Sequence, residues 1–286
     1  MTFGIIGNTG KKNIKPVLGD IILFLQKQKI EFLLQKELKK FLQIQLSPKY
    51  LCSVKTLVKR SDMILSLGGD GTFLNTAKIV GRKQIPILGV NLGTLGFMAE
   101  VGPKEVISFI NKILNNKYKI YNLCVLEAKH SGSEPIYGMN DIVIDKCASI
   151  KMVELEIFYK DEHVIRFFAD GIIVSTPTGS TGYSLSAGGN VISPYSQVFA
   201  ITPICPHTLN FRPLIVPEDG EILIKTHHTG TVRITADGSP SITYKSPTKF
   251  RIRKADYTVR VVKDIDKTYF QTLSNKLLWG ADQRKK

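Results

Sequence analysis

The rhythm of apolar and polar positions changes near residue 119. Before it, short apolar runs alternate with stretches whose apolar residues recur every three or four positions. FGIIG (3–7), EFLLQ (31–35), MILSLGG (63–69) and PILGV (86–90) read as buried strands. Between them, residues 16–29 carry Val17, Ile21 and Leu25 at helical spacing, with Leu18, Ile22 and Leu23 widening the stripe. Residues 36–58 read as irregular helix, TFLNTAKIVGR (72–82) as a helix after the third strand, and 103–116 as one more. Strand and helix in alternation predict a parallel sheet with helices on both faces. Beyond 119 the chain breaks into short β-type segments, among them DIVID, EILIKT, TVRITADGS, SITYKS and KFRIRKA, separated by Gly, Pro and Asp clusters. The expectation is an α/β domain over 1–118, completed by about 264–286, and an all-β, sandwich-like domain over 119–263. Leu273, Leu277 and Leu278 mark a final helix that packs back.

Composition narrows the functional classes. The chain has 286 residues, 43% of them apolar and 22% charged, with a mean hydropathy near zero. No apolar run reaches the ~18 residues a membrane helix needs. MTFGIIGNTGKK has no cleavage-like site, so a cytoplasmic protein is expected. The net charge of +15 suits small anionic ligands. The lysines are scattered and their densest stretches lack interleaved aromatics, which argues against nucleic acid. Cys52, Cys124, Cys147 and Cys205 form no CxxC pair and read as free thiols. His227 and His228 are adjacent, so on a strand they face opposite ways and cannot share a metal.

Three stretches could carry chemistry. LGGDGTF (67–73) falls where a strand ends and a helix begins, the place where open α/β sheets bind ligands. Gly68, Gly69 and Gly71 clear a path for backbone N–H groups, and the helix from Thr72 turns its positive end to a phosphate. Asp70 is repelled by phosphate, so its carboxylate must serve another end, either holding Mg²⁺ or accepting a proton from an attacking hydroxyl. The plainer reading is a helix cap. GIIGNTGKK is not a P-loop, because Lys12 stands where Ser or Thr is required, and Leu74 breaks a GxGxxG pattern. In GMNDIVID (138–145), Asn140 and Asp141 can bond a sugar's hydroxyls, or simply form a turn. DGIIVSTPTGSTGYSLSAGG (170–189) runs from a buried strand into a stretch crowded with Ser, Thr and Gly, where Tyr183 offers a flat face to a ring.

GGDGT (68–72), NDIVID (140–145), the 170–189 stretch and NFRPLIVP (210–217) together resemble the NAD kinase family. GGDGT alone is shared with lipid kinases and phosphofructokinases; the 170–189 stretch is the more distinctive part. The resemblance implies transfer of the γ-phosphoryl of ATP to the 2′-hydroxyl of the adenosine ribose of NAD, with Mg²⁺. It implies that Asp70 accepts the hydroxyl's proton, beside Gly71 at the phosphates. It places Asn140 and Asp141 at the adenosine part and Asp170 at the nicotinamide end. Thr181, Gly182, Tyr183, Ser184, Leu185 and Ser186 would line the dinucleotide site, with Tyr183 stacking on adenine. It also implies a dimer or tetramer of this chain.

Two positions depart from the family's pattern. Phe168 stands two places before Asp170, where a basic residue is usual, with Arg166 two further back. Ser239 follows Asp237 and Gly238, where Gln is usual. Lys151 is a candidate phosphate contact, or a solvated charge on a strand. The competing readings are a lipid kinase, which needs an apolar groove and a route to membranes, and a dinucleotide sensor, for which an intact Asp70 has no use.

Overall fold

The computed structural model describes residues 1–11, 13–42, 45–93, 96–208, 210–239 and 241–279. The chain divides into two compact units, Met1–Asn122 with Val259–Lys286, and Leu123–Thr258.

The first unit contains β1 (Phe3–Gly7), α1 (Ile14–Lys27), β2 (Phe32–Gln35), β3 (Leu51–Cys52), α2 (Val54–Arg60), β4 (Met63–Gly68), α3 (Asp70–Val80), β5 (Ile87–Asn91), α4 (Val106–Leu114) and β6 (Tyr118–Leu123). The second adds β7 (Leu126–His130), β8 (Ile136–Gly138), β9 (Asp141–Asp145), β10 (Val153–Tyr159), β11 (Glu162–Ala169), β12 (Gly171–Ser175), the short α5 (Tyr183–Ser186), β13 (Val198–Ile204), β14 (Leu214–Pro217), β15 (Ile222–Ala236) and β16 (Ser241–Lys254). The chain then returns to the first unit as β17 (Val259–Asp264) and α6 (Tyr269–Leu277).

The first sheet has the order β3-β2-β1-β4-β5-β17-β6, and its pairings from β3 to β17 are parallel. Strands buried on both faces need continuous apolar runs, and β4 is buried at all six positions. The stripe of α1 supplies Ile14, Leu18, Ile21, Ile22 and Leu25 to the core, and α4 supplies Phe109, Ile110 and Ile113. The irregular helix expected at 36–58 resolves into a 3-10 turn at Lys36–Phe41, another at Pro48–Tyr50, β3 and α2. Proline at 48 disfavours helix at the residue before it, and Ser53 starts α2 afresh by accepting the Thr56 N–H. Residues 43 and 44 of that stretch lie outside the described residues.

The second unit is a single antiparallel sheet in the order β14-β13-β12-β9-β15-β16-β7-β8, with β10 on β15 and β11 on β10. Its sandwich-like layering comes from one long strand. The first half of β15 pairs with β10 and the second half with β9, and its register against β16 shifts between Thr226 and Gly230. The sheet therefore curls around its own core, which takes alternate residues: Ile142 and Ile144, Leu155 and Ile157, Ile172 and Val174, Val232 and Ile234, Phe250 and Ile252. EILIKT and TVRITADGS, two segments by their punctuation, are one strand, as are SITYKS and KFRIRKA. The intervening turn residues are absorbed as an irregularity in pairing.

Candidate active site

In the first unit, β1 and β4 lie side by side, with Gly7 opposite Leu67. The chain leaves β1 towards β2 on one side and leaves β4 towards β5 on the other. This divergence makes the carboxyl ends of β1 and β4 the topological switch point of the sheet. A cavity of about 320 Å³ opens there, lined among others by Asn8, Thr9, Gln35, Val54, Gly71 and Asn75. The turn beneath it is held tightly. A Cβ on Gly68 would lie 2.1 Å from Thr72 Oγ1, so Thr72 can fold back only over a glycine. The N–H groups of Thr72 and Phe73 both donate to the Gly69 carbonyl at 3.0 Å. Thr76 Oγ1 donates to the Thr72 carbonyl and meets Ser66 Oγ at 2.8 Å, fastening α3 to β4. Gly69 and Gly71, by contrast, face open space. Backbone N–H groups at this helix start are therefore accessible to an anion.

Asp70 is not the helix cap: Gly69 holds the cap position of α3, with no side-chain cap hydrogen bond, and the Asp70 carboxylate turns elsewhere. Its Oδ2 accepts the N–H of Phe97 at 2.9 Å, and its Oδ1 accepts those of Met98 and Ala99 at 3.0 and 3.1 Å. Gly96 makes this possible, since a Cβ there would lie 2.0 Å from Asp70 Oδ1. The 97–100 segment is tied in turn to β17: Lys263 Nζ donates to the Phe97 carbonyl at 2.9 Å and pairs with Glu100 at 2.6 Å. Sequence reasoning did not single out this segment or Lys263. The Gly93 and Gly96 pair after β5 was the available signal.

The second unit repeats the device. The Asp237 carboxylate accepts three successive N–H groups, from Met139 at 2.8 Å, Asn140 at 2.7 Å and Asp141 at 3.1 Å. The Asp237-Gly238 motif is thus the anchor of Asn140 and Asp141. Thr176 closes the other side, its N–H donating to the Asn140 carbonyl at 2.9 Å and its hydroxyl to the Met139 carbonyl at 2.7 Å. Gly179 packs directly on the Asn140 carbonyl, and Gly182 faces the side chains of Asn140 and Asp141. The buried Asn140 Oδ1 and Ser175 Oγ have no hydrogen-bond partner. Buried polar atoms are rarely left so, and a pair beside a glycine-lined loop suits a polar ligand.

The residues of the 176–186 stretch differ in which way they face. Thr176, Ser180 and Ser184 face inward. Ser180 Oγ donates to the Pro177 carbonyl and accepts the Ile192 N–H, and Ser184 Oγ meets Thr202 Oγ1 at 2.9 Å. The Ser184 hydroxyl is therefore part of the packing. Thr181, Gly182 and Leu185 are half-buried, while Tyr183 and Ser186 are exposed. Burial raises the Tyr183 phenol, and the charge of Asp145 raises it further. Asp145 is itself held bidentately by Arg233, at 2.8 Å in its closer contact.

Asp170 stands apart from Asn140 and Asp141. Ser175 pairs with Asp141 and Gly171 with Asp145, so Asp170 lies just beyond the opposite end of β12, roughly 17 Å along the strand. It pairs with Lys146 at 2.7 Å. Arg166 does not substitute at position 168: it pairs with Glu154 at 2.7 Å, and Phe168 is exposed. Ser239 is exposed in the turn after Asp237, its N–H donating to the Ala236 carbonyl. Lys151 is exposed in a bend before β10 and not on a strand.

The Asp141 carboxyl is strongly perturbed. Burial first, and the Asp237 carboxylate second, push its pKa up to about 7. The folded chain therefore binds this proton more tightly than the unfolded chain. The stability it contributes is present below the ordinary carboxylate range and is lost as pH rises towards 7. Asp141→Asn, which mimics the protonated form, is expected to melt several degrees above the wild type at pH 8 and close to it at pH 5. Parallel thermal melts at the two pH values check this.

A glycine-rich turn with accessible N–H groups at the switch point of a parallel sheet, and a Ser/Thr/Gly-rich loop on a β unit, are the arrangement expected of a nucleotide-dependent phosphotransferase. The model of the ATP-NAD kinase N-terminal domain matches residues 3–118, and that of the C-terminal domain matches 139–264. The chain belongs to the NAD kinase family, and its reaction is the phosphorylation of NAD to NADP. It is 39% identical to the NAD kinase of Bacteroides fragilis over 292 residues, covering 99% of this chain and 100% of that one. It is 38% identical to that of Geotalea daltonii, covering 88% and 92%. Among solved structures it is similar to yeast NADH kinase complexed with NADH, with a TM-score of 0.88 and 28% identity, covering 99% of this chain and 89% of that one. An Archaeoglobus fulgidus NAD kinase in complex with ATP shares the fold, with a TM-score of 0.79 at 24% identity over 97% of this chain and 99% of that one.

Proposed function

We propose that Asp70 is the proton acceptor of this reaction and that the two glycine-rich turns divide its substrates. The cavity at the switch point takes the phosphate donor, with Gly68, Gly69, Gly71 and Thr72 at its phosphates. The apolar side chains of Val54 and Ile79 line the same cavity. Apolar walls suit a nucleobase and have nothing to offer a bare polyphosphate, which favours ATP as donor. NAD lies along the 181–186 stretch, with its adenosine part at Asn140 and Asp141 and its nicotinamide end at Asp170. The separation of these groups along β12 suits a ligand with a ring at each end. Tyr183 stacks on the adenine, and the unpartnered Asn140 Oδ1 is the observation that carries the assignment.

The chemical step balances simply. The O–H bond of the ribose 2′-hydroxyl breaks and its proton passes to Asp70. The oxygen bonds to the γ-phosphorus, and the bond from that phosphorus to the bridging oxygen breaks, releasing ADP. Among the described residues no cluster of three or more His, Cys, Asp or Glu is placed to hold a metal. This donor set fits Mg²⁺ carried in by phosphates, which needs few protein ligands, with Asn8 and Asn75 as side-chain oxygens in reach of the cavity. When bound, Mg²⁺ offsets the charge of the transferring phosphoryl group. Among the described residues no helix is long and apolar enough to cross a membrane. A cytoplasmic location and a homodimer or homotetramer complete the reading.

The test is incubation of the purified protein with NAD, Mg²⁺ and either ATP or inorganic polyphosphate, with NADP read by an NADP-specific dehydrogenase. NADP is expected with ATP and little or none with polyphosphate. Equal rates with the two donors would overturn the donor assignment, and NAD binding without NADP under either donor would favour a sensor.

A further inference from the structure

The residue least expected from sequence lies on α6. Lys276 Nζ sits 3.9 Å from Asp70 Oδ2 and 5.1 Å from the centre of the Phe97 ring. It is held there by the helix. A capping box of Thr268 and Gln271 starts α6. One turn before Lys276 on the same face, Thr272 Oγ1 donates to Glu100 at 3.2 Å. Leu273 is buried beside it. The helix is thus fastened to the segment that Asp70 itself organises.

The acceptor positions of Asp70 show what the lysine leaves open. Two N–H groups occupy Oδ1 and one occupies Oδ2. A carboxylate has about four acceptor positions, so one remains on Oδ2. At 3.9 Å the ammonium is beyond hydrogen-bond reach of that oxygen and does not fill the position. It lies close enough to act through its charge. A carboxylate on a phosphate-binding turn repels the phosphates it must work beside, and a fixed cation at the same oxygen offsets that repulsion.

We infer that Lys276 is the countercharge that lets Asp70 function next to a phosphate donor: a positioning residue of the transfer step, delivered by the C-terminal helix. The inference rests on Asp70 being the proton acceptor. Its effect belongs to the step in which donor charge, acceptor hydroxyl and Asp70 come together, so it is expected in kcat more than in the KM for NAD.

The experiment compares Lys276→Met, which keeps the length and removes the charge, with Lys276→Arg, Asp70→Asn and the double variant, using the full chain. Lys276→Met should lower kcat roughly tenfold to hundredfold, with the KM for NAD and the melting temperature close to wild type. Lys276→Arg should recover most of the rate. In the Asp70→Asn background, removing the lysine should cost little further, because the charge it compensates is gone. A wild-type kcat for Lys276→Met overturns the inference. So does an Arg variant as slow as the Met variant, since the stem and not the charge would then matter. Wild-type rates for Asp70→Asn would instead remove the reading of Asp70 on which the inference stands.

Discussion

Asp70→Asn is expected to lower kcat by a factor of about 10²–10⁴, the usual share of a positioned general base, with the KM for NAD within a few-fold of wild type. A ribose hydroxyl is too weak an acid to be deprotonated beforehand by a carboxylate. On the proposed reading, Asp70 orients the hydroxyl and takes its proton late. The same carboxylate holds the N–H groups of Phe97, Met98 and Ala99. An asparagine amide has one acceptor oxygen, so at least one of these N–H groups is left facing a donor. An unsatisfied group of this kind costs about 1–3 kcal/mol, and the variant should also melt lower. Rate per folded molecule separates the two losses. A lower melting temperature with kcat within tenfold of wild type would reduce Asp70 to an anchor for the 97–99 segment.

Gly179→Ala is expected to raise the KM for NAD about a hundredfold, the order of loss that a displacement near 1 Å produces at a reacting site. The added Cβ would lie 1.9 Å from the Asn140 carbonyl oxygen and 2.4 Å from its carbon. Both are backbone atoms, and the same oxygen accepts the Thr176 N–H. Relief therefore comes only by prising the 175–182 turn away from Asn140 and Asp141, the groups assigned to the adenosine. Gly19 in α1 is the control. A Cβ there meets nothing within 4 Å, and Gly→Ala in a helix stabilises by roughly 0.5–1 kcal/mol. Isothermal titration with NAD reads the outcome; wild-type affinity in Gly179→Ala would dissociate the turn from the ligand.

Features set by local pattern were legible in the sequence. The βα alternation of the first unit follows from the 3.6-residue stripe of α1 and the apolar run of β4, and the GGDG turn falls at the predicted strand end. What escaped depends on distant partners. Gly230 and Pro247 read as strand breaks, yet hydrogen bonding on both sides carries β15 and β16 through them. Ser180 and Ser184 look like ligand hydroxyls, because composition cannot tell an inward staple from an outward donor. Asp237 is separated from Asn140 by nearly a hundred positions, and Lys276 from Asp70 by two hundred. No periodicity links such pairs; only the folded chain does.

The place of β17 has a consequence for how the molecule is made. Among the described residues, the strand that comes last in the chain is an interior strand of the first sheet, between β5 and β6. Until it arrives, β5 keeps an unpaired edge, the kind of surface that recruits stray strands. The second unit is complete by residue 258 and can close earlier. During synthesis the order of completion is thus the reverse of the order of sequence. The GGDG turn, emerging early, waits for Lys263 and Lys276, so that a chain cut short carries Asp70 without either cation.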